Sequence, residues 1–170
     1  MRLTKNNKAY SVKLLKLARI HISLFMAGLV ISGLTAFPIE TQLTMVINHI
    51  SWLPQILCDW MASVHKAIIY VNIHYPYLSY GTDWLGFAHL VIAINFIGAY
   101  RDPIKNIWVM QFGIIACSLI FPFALIAGEI REIPLFWRLI DCSFGLFGGL
   151  LLCNGYRLIL RLQSMGGCHS

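Results

Sequence analysis

Charge is scarce in this sequence. Only 12% of its 170 residues are Asp, Glu, Lys or Arg, while 58% are hydrophobic, against about a quarter charged in an ordinary soluble domain. A soluble fold of this length would lack the charges to coat its surface, so that class is excluded. The short motifs of common site chemistries are missing too. There is no C-x-x-C, G-x-S-x-G, H-E-x-x-H or Walker loop, which removes the usual dithiol, nucleophile-elbow, zinc-protease and phosphate-loop readings. The five cysteines are scattered: Cys58 lies in the segment between the first two apolar runs, Cys117, Cys142 and Cys153 lie in later runs, and Cys168 lies near the end. They define no disulfide framework. No internal repeat or low-complexity stretch is present.

What is present is apolar material in long runs. Four of them reach the length of about 17 residues that a membrane span needs: 20–37, 84–100, 107–128 and 136–156. The first is too long for a signal-peptide core, and Leu34 interrupts the small-residue pattern before Phe37, so it reads as a retained span. The fold class expected is an all-α integral membrane protein, a four-transmembrane-helix bundle forming a single membrane domain. Segments 1–19 and 157–170 read as basic tails.

Orientation follows from the cations. Ten of the thirteen fall on one side of the spans: Arg2, Lys5, Lys8, Lys13, Lys16 and Arg19 before the first, Arg101 and Lys105 between the second and third, Arg157 and Arg161 after the fourth. Six of the seven acids, Glu40, Asp59, Asp83, Glu129, Glu132 and Asp141, fall on the other side or near it. Cationic loops stay cytoplasmic during insertion. Both termini are therefore expected in the cytoplasm, with the chain in a cytoplasmic (inner) membrane. The net charge of +6 is topogenic and attracts anionic headgroups. Nucleic acid is excluded as a partner because the cations are spread over three juxtamembrane segments with no binding module. Trp84 and Trp137 at one level, and Tyr100, Trp108 and Tyr156 at the other, form the aromatic belts of such a bundle.

Small residues four apart, Gly28 with Ser32 and Gly145 with Gly149, predict close helix approaches. Pro122 inside the third span withdraws a backbone donor and predicts a kink. The segment 38–83 is too long for a hairpin loop and too apolar for a disordered linker. Leu57, Trp60, Met61, Val64, Ile68 and Val71 recur at helical spacing, predicting an amphipathic helix from about Pro54 to Asn72, stopped by Tyr75-Pro76. A shorter stripe of Leu43, Val46, Ile47 and Ile50 predicts another helix before it.

Ionisable side chains at membrane depth cost a few kcal/mol unless they find partners. His89 and Asp141 each lie five residues inside their spans from the outer end, roughly 7 to 8 Å below the boundary at 1.5 Å per residue. Arg138 stands one turn above Asp141, either paired with it along the helix or free to hold a ligand. Glu129, Arg131 and Glu132 arrive at the same surface, and Asp83 begins the second span. The expected ligand-binding residues are therefore His89, Arg138, Asp141, Glu129 and Asp83, with Asn95 as the floor. The function expected is a polar pocket, open to the outer leaflet, that binds or moves a small lipid- or quinone-like amphiphile. His89 bonded to a backbone carbonyl is the plain structural alternative.

The stretch Arg19-Ile20-His21, with the apolar run that ends Ser32-Gly33-Leu34, resembles the opening span of membrane cytochromes b, over about one helix in four. The resemblance implies a haem ligand at His21. Depth separates His21 from His89 by roughly 15 Å, however, so the two cannot share an iron. A b-type haem would instead need His65 with His89, and this is the second reading. A third is a non-catalytic subunit of a larger membrane complex. Expected partners are membrane lipids, with other membrane subunits or a second copy of the chain.

Overall fold

The structure, a computed structural model, describes residues 5–49 and 52–166. Arg2, Ile50, Cys168 and His169 lie outside the described residues. The described residues form six helices: α1 (Lys5–Ala36), α2 (Ile39–Ile47), α3 (Gln55–His74), α4 (Pro76–Arg101), α5 (Ile107–Ile130) and α6 (Leu135–Gly166). No strand occurs among the described residues. Four of the helices, α1, α4, α5 and α6, are long and apolar enough to cross a membrane. The protein is an all-α membrane bundle.

Both α1 and α6 run well beyond their apolar stretches. α1 begins at Lys5, inside the basic segment, and α6 continues to Gly166. The cause is burial: Leu14 and Ala18 on α1, and Ile159 and Leu162 on α6, are almost completely enclosed. An apolar face gives these basic stretches a reason to stay helical that charge spacing alone did not reveal. α5 passes through Pro122 without ending.

The helices group into two compact units, Met1–Ala27 with Ile94–Ser170, and Gly28–Ala93. The first contains the packed apolar core. Ile22, Phe96, Val109, Met110, Leu152 and Ile159 are its largest enclosed side chains. Glycines set the helix spacing there. A Cβ on Gly145 of α6 would stand 2.8 Å from the carbonyl oxygen of Cys117 on α5. One on Gly113 would stand 2.7 Å from the Phe96 ring. These backbones approach closely because hydrogen occupies the place of a side chain. Near the last turn of α4, Arg19 donates from Nε to the Tyr100 carbonyl (3.0 Å) and from Nη2 to that of Arg101 (3.1 Å). Its cation thereby neutralises carbonyls that have no partner within the helix.

The second unit is built differently. α2 and α3 contain no buried residue, and polar bonds join them. In this unit Gly33 of α1 meets Gly86 of α4, where a Cβ on either would lie 2.8 Å from the other's carbonyl oxygen. The close approach on α1 is thus made by Gly33. Gly28, expected to pack with Ser32, has open space around it, and Ser32 is exposed. Spacing identified small residues but not the face turned inward. The expected helices in 38–83 are present: Pro54 precedes α3, and Tyr75 ends it before Pro76 opens α4.

Candidate functional site

Each unit builds its own polar assembly. In the first, α5 ends in a tight turn. The Ile133 amide donates to Gly128 and the Glu132 amide to Glu129 (2.9 and 3.0 Å), with Glu132 at φ 56°. This is the reciprocal pattern of a Schellman ending, with glutamate where glycine is usual. The turn delivers Glu129 to the start of α6. There Nη1 of Arg138 lies 2.5 Å from Oε2 of Glu129. The arginine side chain is only 14% exposed and the glutamate 74%. The aliphatic part of Arg138 lies where a Cβ on Gly128 would go. Nη1 also reaches the Leu125 carbonyl at 3.4 Å, while Nε is buried with no hydrogen-bond partner among the described residues.

Arg138 therefore pairs across the α5–α6 turn with Glu129. No Arg138–Asp141 ion pair occurs among the described residues, because the guanidinium is drawn to the neighbouring helix. Asp141 is half-buried one turn further along α6. Asn95, on the part of α4 belonging to this unit, is exposed.

The second unit brings together residues of α2, α3 and α4. Asn72 donates from its amide to Oε2 of Glu40, and the Ser79 hydroxyl donates to Oδ1 of Asn72. One side-chain amide thus ties α3 to both α2 and the first turn of α4, with donor and acceptor each used. Beside this bridge is a cleft of about 230 Å³. Phe37, Pro38 and Ile39 form its apolar wall; Glu40, Asn72, Thr82 and Asp83 supply most of its polar lining. No Lys, Arg or His is among the described residues that line it. Asp83 makes no hydrogen bond or ion pair among the described residues, so its carboxylate is available in the cleft.

The histidines are engaged locally. His89 donates from Nδ1 to the Leu85 carbonyl (2.8 Å), the backbone bond anticipated as the plain alternative. His21, His49 and His74 make the same bond to Leu17, Met45 and Tyr70. His65 differs. The Thr44 hydroxyl donates to the Glu40 carbonyl (2.8 Å), so its single hydrogen is used. Nε2 of His65, 2.8 Å from Thr44 Oγ1, must then be the donor. Iron ligation through that nitrogen would require the bond to be given up. No group of three or more His, Cys, Asp or Glu suited to a metal ion occurs among the described residues.

Of the sequence-derived candidates, Arg138 and Glu129 are brought together, and Asp83 lines a cleft. His89 and Asp141 fall in different compact units. Sequence reasoning missed Glu40, Asn72 and Ser79 as site residues. The available signal was Asn72, a carboxamide interrupting the apolar run of 67–73, with acids beginning the helix before it and entering the span after it. Comparisons with protein-family profiles, with curated proteins and with solved structures found no match to this chain, so the site is interpreted from its own residues.

Proposed function

We propose that this membrane protein binds the cationic head of a small amphiphile in the cleft between α2, α3 and the start of α4, on the extracytoplasmic side. The carrying observation is the pairing of an open Asp83 carboxylate with Glu40 in a cleft that has an apolar wall and no basic lining residue. A carboxylate near low-dielectric walls attracts an ammonium more strongly than it would in bulk water. Size narrows the ligand. About 230 Å³ is below the roughly 300 Å³ at which sites for whole drug-sized molecules begin, so a head group fits while its chain continues along apolar surface or lipid. Exposed Phe37, Tyr77 and Leu78 supply such surface.

Head-group chemistry separates this ligand from a quinone. Quinone carbonyls need donors; beside its Thr41 and Thr82 hydroxyls the cleft sets two carboxylates, which repel carbonyl oxygens and favour a cation, and the Ser79 hydroxyl is already committed to Asn72. An anionic head at Arg138 is less well supported, since Glu129 already neutralises that guanidinium.

The test is calorimetric titration of the protein in nanodiscs of zwitterionic lipid. Dodecyltrimethylammonium should bind saturably, and Asp83→Asn should weaken it about tenfold, as expected for loss of a charge-assisted contact. Dodecyl sulfate should not compete. Equal binding of the two detergents, or binding untouched in the double variant Glu40→Gln with Asp83→Asn, would overturn the reading.

A further inference from the structure

Asn95 is a polar side chain for which the fold provides no partner among the described residues. It stands on α4 five residues before Tyr100, about 7.5 Å along the helix from the aromatic end of a membrane-spanning segment. Its neighbour Phe96 and, one turn on, Ala99 are fully enclosed. Asn95 itself is exposed, and its amide makes no hydrogen bond among the described residues. Ile94 and Ile97 beside it are exposed too. A carboxamide surrounded by hydrocarbon has no water to bond, so the membrane favours any arrangement that gives it a protein partner.

We propose that this face of α4 docks a second copy of the chain, with the two Asn95 side chains bonded reciprocally. Two features select that occupant. A carboxamide carries both a donor and an acceptor, so it complements itself. Copies of one chain inserted the same way also carry Asn95 at the same depth, and a two-fold axis along the membrane normal therefore closes both bonds at once. Any other subunit would need its own polar group at that level. The modest strength of interhelical hydrogen bonds in membranes makes this a reversible dimer. The inference is independent of the α2–α3–α4 cleft.

Single-molecule photobleaching of fluorescently labelled protein in phosphatidylcholine vesicles, across a range of protein-to-lipid ratios, tests it. The wild type should pass from two-step to one-step bleaching on dilution. Asn95→Leu should raise the dissociation constant about tenfold, while Asn95→Gln should stay within about threefold of wild type. Because the site is exposed, the leucine variant should keep its helicity. As a second readout, Asn95→Cys in a background whose native cysteines are replaced by alanine should cross-link to dimer under mild oxidation. A wild type that is monomeric at every ratio, or a leucine variant that dimerises as well as the wild type, would overturn the proposal.

Discussion

The unit formed by Met1–Ala27 and Ile94–Ser170 encloses a set of large apolar side chains, whereas Gly28–Ala93 combines the Gly33–Gly86 approach with polar bonds that tie α2, α3 and α4. In the first, Phe96, Met110, Leu152 and Ile159 are sealed. In the second, α2 and α3 enclose nothing, and Thr44–His65 and Glu40–Asn72–Ser79 connect the helices. A membrane protein cannot rely on water to drive helices together, so close packing carries the first unit. The second adds side-chain hydrogen bonds between helices whose apolar stripes are only half-buried. Segments with few buried apolar contacts open at low free energy, and such segments are where binding sites are commonly found.

The largest expected effect breaks the packed unit. Gly113→Leu drives a side chain into Phe96 and Leu152 and should destabilise the protein by about 3 kcal/mol, the upper part of the usual cost of overpacking. Reversible unfolding in mixed micelles by increasing SDS fraction measures it. A loss below about 1 kcal/mol would mean that the two units are not so different. Next comes Arg138→Leu, which removes the bond across the α5–α6 turn. The arginine is largely enclosed but Glu129 is exposed, so screening reduces the value, and about 1 kcal/mol is expected. A double-mutant cycle with Glu129→Gln isolates the pair. The smallest effect has the opposite sign. Glu132→Gly relieves a positive φ and should stabilise by about 1 kcal/mol or less, detected as a raised SDS midpoint.

The spans were legible because charged residues bracket long apolar runs, and α3 because Pro54 and Tyr75-Pro76 bound a helical stripe. Rotation was not. Sequence spacing offered Arg138 a partner on its own helix at Asp141, but the turn at 131–133 swings Glu129 within reach instead. Gly28 and Ser32 had the right interval, yet Gly33 has the inward face. Asn72 and Glu40 are 32 residues apart, and no local pattern joins them. Asp83 was visible as the acid that opens a span; that Glu40 lines the same cleft required the fold.

The most direct measurement addresses the cleft itself. With the native cysteines replaced by alanine and Thr82→Cys introduced, a membrane-impermeant maleimide should label intact cells from outside, and dodecyltrimethylammonium should slow that labelling severalfold. The protection should vanish when Asp83→Asn is added. Labelling that appears only after the membrane is permeabilised, or that the ammonium compound leaves unchanged, would contradict an outward cleft built to receive a cation.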